Sequence, residues 1–393
     1  MTDVEIRQDP LPQDETTSRT APEAPPTAPP ANSRFANTSE SYAILVWRRF
    51  RRSASGMIGL ILVTLLLLMS VFADFVAPVN PKESFLGFAP PDGISFMAPD
   101  GSFSLMPRVY PTVETGEFDP ITFQPLTGPD LENPIELGFF VKGYSYKFFE
   151  LFPADIHLFG SVDGRPVHFL GTDKLGRDIL SRGIVGSRIS LTIALIVVTI
   201  TTTIGTLVGI TSGYLGGRVD AWVQRFVDIM LAFPQLPLYL ALTTLIPITA
   251  PSNVFIAFVI GVMAALGWAQ LSREVRGKTL ALAHVDYVRA AVAVGAGDGR
   301  IIVRHILPNV LSHVIVAVTL QIPAIVLLES FLGFLGFAVK PPLISWGLML
   351  QDTGTFSVIG SYPWILSPVG FVLATVFAFN ALGDGLRDAI DPY

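Results

Sequence analysis

Gly277-Lys278-Thr279 is the nearest approach in this chain to a phosphate-cradling loop. A working P-loop needs a glycine where Ser272 stands and a strand ahead of it, and neither is present. There is no cysteine, which excludes disulfides, thiolate catalysis and thiolate metal sites. The five histidines are scattered, and none pairs with another at ligand spacing. Two carboxylates fall inside apolar runs, Asp228 and Glu329. A proton-coupled carrier needs more Asp, Glu or His at bilayer depth than this. No basic patch interleaved with aromatics suggests nucleic acid. What remains is contact chemistry, concentrated in Leu271–Pro308. There Arg273, Arg276, Lys278, Arg289, Arg300 and Arg304 outnumber Glu274, Asp286 and Asp298.

The elements around that segment are membrane helices. Half of the 393 residues are hydrophobic and only 15% are charged, against roughly a quarter charged in an ordinary soluble domain. Gly56–Ala77 is an apolar run long enough to span a bilayer. Arg48, Arg49, Arg51 and Arg52 precede it and place its start in the cytoplasm. Further spans are expected near Ser190–Gly213, Arg225–Ile246, Val254–Gln270, Asn309–Leu328 and Pro363–Leu382. Pro234 and Pro237 interrupt the third of these six. An even span count puts both termini in the cytoplasm, and the arginine clusters fall on that side.

Residues 1–45 are acidic and rich in Pro, Thr and Ala, a composition that predicts a disordered tail. Residues 46–77 hold the first membrane helix. Residues 78–186 form an external insert with short aromatic and β-branched runs and the turn signal Asp100-Gly101. An amphipathic interfacial helix, Asp173–Leu191, is expected at its end. Residues 187–393 then form a five-helix core. Between Pro78 and Ser187 there are 14 Asp/Glu against 8 Lys/Arg, which suits the non-cytoplasmic side.

The segment at 271–308 is too long for a simple turn. Tyr287–Gly295 reads as a short helix with a smooth face of alanine and valine, ended by Gly295. A second helix, Gly299–Ile306, is expected to stop at Pro308. Small side chains allow close approach to a groove on a partner, and the flanking arginines favour an acidic rim there. A solvated amphipathic loop is the plainer alternative.

Arg289-Ala290-Ala291, then Gly295, then His305-Ile306-Leu307-Pro308 resembles the EAA motif of ABC importer permeases, with Arg289 in place of the leading Glu. Four further stretches resemble the dipeptide/oligopeptide branch of that family: Leu170–Arg182, Gly213–Asp220, Glu329–Gly336 with Pro341-Pro342 and Ser345-Trp346-Gly347, and Gly383–Pro392. The resemblance implies an all-α polytopic membrane protein of the type I permease fold, with six transmembrane helices and a small β-rich periplasmic insert. It implies a bacterial inner-membrane location and a subunit that is not itself an enzyme and needs no cofactor. The implied partners are a second homologous permease subunit, two ATP-binding subunits and a periplasmic solute-binding protein. Coupling to the ATP-binding subunit is expected at Tyr287, Arg289, Ala290, Ala291, Gly295, Arg304 and Pro308. Glu329 and Trp346 are expected at a gate or a periplasmic contact, with a helix-end or ion-pair role for Glu329 as the plainer reading. The implied cargo is a peptide or, from the look of the insert around Phe88–Phe96, an oligosaccharide. A secondary transporter working without an ATPase and a membrane anchor presenting the insert are the rival classes.

Overall fold

The computed structural model describes residues 42–97, 103–118, 120, 125–148, 151–247, 249–337 and 339–390. The tail expected at 1–45 and the turn at Asp100-Gly101 fall wholly or mainly outside them. Among the described residues, five helices are long and apolar enough to cross a bilayer, and a sharply bent pair makes a sixth.

Helix α1 (Tyr42–Phe50) carries the arginines and leads into α2 (Ala54–Val71), whose first turn is capped by the Ser53 hydroxyl. A single turn, α3 (Ala73–Val76), follows. The insert contains six antiparallel strands: β1 (Gly93–Met97), β2 (Phe103–Tyr110), β3 (Thr112–Phe118), β4 (Pro125–Pro129), β5 (Ile135–Phe148) and β6 (Phe152–Ser161). They form a sheet in the order β1-β2-β5-β6 and a separate β3-β4 hairpin. Val109, Ile135 and Val167 make a small core under the larger sheet.

The bundle follows. Helix α4 spans Ile179–Leu215, α5 Gly217–Ala232, α6 Gln235–Thr243 and α7 Ser252–Ala283. Next come α8 (Asp286–Ala293), the single turn α9 (Asp298–Ile301), α10 (Leu307–Phe334), α11 (Trp346–Leu350), α12 (Phe356–Ser361) and α13 (Ser367–Ile390). The α5–α6 pair is bent by 79° at Phe233-Pro234, where the sequence places the interrupting prolines. Outward-facing apolar side chains such as Ile61, Leu65, Leu207, Ile315 and Phe377 remain exposed, as a lipid-facing surface requires.

Close approach of α4 to α7 rests on three glycines one turn apart. A Cβ on Gly205, Gly209 or Gly213 would meet the carbonyl oxygen of Trp268, Ser272 or Arg276 at 2.9, 2.5 and 2.9 Å. Small-residue stripes of this kind let membrane helices pack backbone to backbone. Gly56 and Gly385 do the same for α2 against α13.

Two sequence expectations change. The interfacial helix at Asp173–Leu191 does not form as a separate element. Gly171 and Gly176 both have φ of +73°, which bends the chain, and helix α4 begins only at Ile179. The polar side of the amphipathic reading also changes, although Ile179 and Ile184 are buried as expected. Leu175 is exposed, while Asp173, Asp178 and Arg182 are buried. The second change is at Pro308, which ends no helix. It lies in the first turn of α10, where a missing N–H costs little. A wide π turn, Ile302–Ile306, joins α9 to α10 there, so the polypeptide runs on as one span.

Candidate functional site

The loop that replaces the interfacial helix is a polar joint between insert and bundle. Asp178 accepts from the Ser181 amide at 2.7 Å, capping α4, and its other oxygen lies 3.1 Å from His168 Nδ1. Asp173 accepts from the Arg177 guanidinium at 2.8 Å, and Lys174 pairs with Asp352 at 2.6 Å. Thr172 and Ala89 exchange two bonds, at 2.8 and 2.9 Å. Buried charges survive only when they are paired and hydrogen-bonded in this way. The motif Leu170–Arg182 therefore has a structural cause: it anchors both ends of the insert on α4. Arg188 adds a second tie, pairing with Asp74 at 2.7 Å and donating to the Ser70 carbonyl at 3.0 Å. Beside it, Tyr144 of β5 has its phenol pushed well above the usual range by burial and then by the Asp74 charge.

Glu329 and Trp346 sit deeper. Both are fully buried. Glu329 Oε2 accepts from Ser190 Oγ at 3.0 Å, and that same Oγ accepts from the Trp346 amide at 3.1 Å. The Trp346 indole donates to the Gly183 carbonyl at 2.8 Å. In this conformation neither residue offers a surface. Among the described residues Glu329 has no ion pair either; its neighbour is a hydroxyl on α4. The pair locks α10 and α11 against α4. Ser190→Ala strips a partner from two buried groups at once. It should lower stability by about 2–4 kcal/mol, read as a fall in melting temperature of the purified protein in detergent, with Ser190→Thr retaining part of it.

At the opposite end of the bundle, α8 packs against α7 and α9. Its buried residue is Val288, packed in one cluster with Ile210, Val275, Ile301, Ile306 and Val310. Exposed around it are Tyr287, Arg289, Ala290, Val292, Ala293 and Val294, with Ala291 half-buried. The helix closes through a Schellman motif, in which the Ala296 amide reaches the Ala291 carbonyl at 3.0 Å and the Gly295 amide reaches Val292 at 2.9 Å. Gly295 holds φ +81°, a conformation that favours glycine and strains a β-branched residue. Asn309 donates to the Tyr287 hydroxyl at 3.2 Å, joining α8 to α10. Tyr214 at the end of α4 donates to Asp298 at 3.0 Å. Arg304 is exposed within the π turn, and Pro308 is exposed just beyond it.

The arginines of this segment divide in two. Helix α7 runs unbroken to Ala283, so Arg273 and Arg276 lie on a span and not in a loop. Arg276 forks onto Asp220 at 2.5 and 2.6 Å, Arg273 pairs with Asp228, and His313 lies 3.4 Å from Glu274. These two arginines tie α7 to α5, Arg276 in a partly buried pair and Arg273 in an exposed one. Lys278, Arg289, Arg300 and Arg304 stay exposed on the α8 side. Nothing in the sequence singles out Val288 as the anchor, because Val292 and Val294 are equally apolar and only the structure shows that they are exposed. The stripe Gly205, Gly209, Gly213 was legible by spacing and was overlooked.

Residues 205–393 match the family model described as the binding-protein-dependent transport system inner membrane component. Residues 41–91 match the N-terminal TM domain of oligopeptide transport permease C. The oligopeptide transport system permease protein OppC of Haemophilus influenzae is 42% identical over 226 residues, covering 57% of this chain and 70% of the relative. OppC of Escherichia coli K12 is 44% identical, covering 57% and 72%. The dipeptide transport system permease protein DppC of Bacillus subtilis is 38% identical, covering 57% and 68%. The chain belongs to this family of transport permeases.

The permease is thus a multi-pass membrane protein; among the described residues five helices can cross a membrane, or six if the bent α5–α6 pair is one span. The 205–393 match begins inside α4 and takes in α8 and its anchoring cluster. The strands of the insert lie between the two matched stretches.

Proposed function

We propose that this permease is the membrane subunit of an ATP-driven, binding-protein-dependent importer of peptides, working beside a second homologous permease and two ATP-binding subunits. The single observation that carries this reading is the geometry of α8. A short helix with a small, exposed face packs on α7 and α9, is bonded to α10 through the Tyr287–Asn309 contact, and shares through Val288 a cluster with residues of α4, α7 and α10. A push on such a helix moves α4, α7 and α10 together, which is what a motor subunit outside the bilayer needs. Tyr287, Arg289, Ala290, Ala291, Gly295, Arg304 and Pro308 are the coupling surface on this reading. The exposed Arg289, Arg300 and Arg304 favour an acidic rim on the ATP-binding partner.

The α8 end, both chain termini and the α1 arginines face the cytoplasm of a bacterial inner membrane. The six-stranded insert faces the periplasm, where it shapes the docking surface for the solute-binding protein. Glu329 and Trp346 act as an internal brace of the gate, through α10 and α11. Peptide is preferred over oligosaccharide as the cargo because relatives are named for oligopeptide and dipeptide transport.

Reconstitution of the permease with the products of its neighbouring genes tests this. Uptake of trialanine into proteoliposomes should require internal ATP and the binding protein, and should be indifferent to ion-gradient uncouplers. Uptake that persists without ATP and collapses with an uncoupler overturns the reading in favour of a secondary transporter.

A further inference from the structure

A cavity of about 510 Å³ opens near the middle of the bundle, between α4, the α5–α6 bend, α7 and α10. Its polar lining is Thr201, Gln235, Tyr239, Gln270 and Gln321. None of its lining residues is Asp, Glu, Lys, Arg or His. Gln270 donates to Glu274 at 3.0 Å, one turn further along α7 and outside the cavity. Gln321 carries a buried Oε1 with no hydrogen-bond partner.

The bend supplies the second argument. Pro234 has no N–H, so the Met230 carbonyl at the end of α5 loses its helical donor, and Phe233 at the break has left the helical conformation. Broken backbone at bilayer depth is tolerated only where protein buries it or water reaches it. Leu231, Gln235, Leu236 and Tyr239, on either side of the break, all line this cavity. Three glutamines facing a space in the hydrocarbon layer need the same company. The space is large enough for a few residues of an extended solute.

We propose that this cavity is the permease's own share of the solute pathway, reading uncharged hydrogen-bonding groups through Gln235, Gln270 and Gln321 and leaving solute charge unread. Peptide amides and sugar hydroxyls both present that chemistry. The inference rests on the importer reading for its traffic but not for its wetness, so two measurements separate them.

The chain has no cysteine, so label retained on this subunit after it is separated from its partners reports only the introduced thiol. In the full complex, Gln235→Cys and Gln321→Cys should react with a charged, membrane-impermeant methanethiosulfonate. Leu373→Cys, on an exposed position of α13, should react only with a lipid-soluble maleimide. Labelling at 235 and 321 no faster than at 373 overturns the pathway whatever the solute is. Uptake of Ala-Ala-Ala, Ala-Lys-Ala and Ala-Glu-Ala is then compared. The unmodified complex should take all three at similar rates. Gln321→Leu should slow all three alike, by about tenfold for one lost hydrogen bond. Gln321→Glu should favour the lysine peptide over the glutamate peptide. An unchanged order with Gln321→Glu overturns the contact. Uptake of maltotriose in place of every peptide overturns the peptide reading while supporting this pathway.

Discussion

Aspartate at Ala290 or Ala291 lowers trialanine uptake by the reconstituted complex by at least about tenfold, the value of about 1.4 kcal/mol, while ATP hydrolysis continues. Ala290 is exposed on the face of α8 opposite the anchor Val288, whereas Ala291 lies one turn from Val288 and is half-buried. A carboxylate at 290 therefore leaves the fold of this chain alone and acts on what docks there. It adds bulk to a face built for close approach and negative charge opposite an acidic rim. Gly295 separates docking from local backbone. At φ +81° a β-branched residue is strained, by about 1–2 kcal/mol or more, whereas asparagine visits this region routinely. Gly295→Val should uncouple and Gly295→Asn should largely preserve uptake. No Cβ contact lies within 4 Å at Gly295, so sterics against the core do not confuse the comparison. Coupled uptake at the normal rate in both aspartate variants removes α8 as the transmission point.

The second large effect is on assembly. Gly209→Leu should leave no folded permease to purify. A Cβ there would sit 2.5 Å from the Ser272 carbonyl and 2.8 Å from Val275 Cβ, so α4 and α7 must separate. Backbone cannot yield as a flexible side-chain tip can. Separation would also break the cluster that anchors Val288, since Ile210, Leu271 and Val275 belong to it. Gly277→Ala is the control. It lies on α7 with nothing within 4 Å of the added Cβ. It should be neutral or stabilising by about 0.5–1 kcal/mol, as alanine is the better helix former. The measurement is the yield and thermal stability of protein extracted from membranes in mild detergent. A well-folded Gly209→Leu variant would mean that the helices are not held at this spacing.

Much of the fold was readable along the chain because a bilayer imposes length and hydropathy on each span independently of the others. Gly56–Ala77 needed no knowledge of α13 to be recognised as a helix. The α8 helix and its glycine stop were likewise local, since the Schellman turn depends on adjacent residues. The misreadings share one cause. Asp173–Leu191 looks amphipathic when its charges are assumed to face water, yet Asp173, Asp178 and Arg182 are buried. Their partners include the Arg177 guanidinium, His168 and the Pro81 carbonyl. The arginines of α7 were assigned outward for the same reason, before Asp220 and Asp228 were known to face them.

By itself, then, the sequence determined a multi-pass membrane protein, the position of the short helix α8 and its lack of a phosphate loop. Each of these follows from residue type at short range. Tertiary structure alone decided which charges are spent inside the protein and that Glu329 rests on a serine of α4. It also decided that three glutamines, from α6, α7 and α10, face one cavity. The physical reason is that a polar side chain in an apolar surround takes its meaning from its partner, and those partners lie far away along the chain.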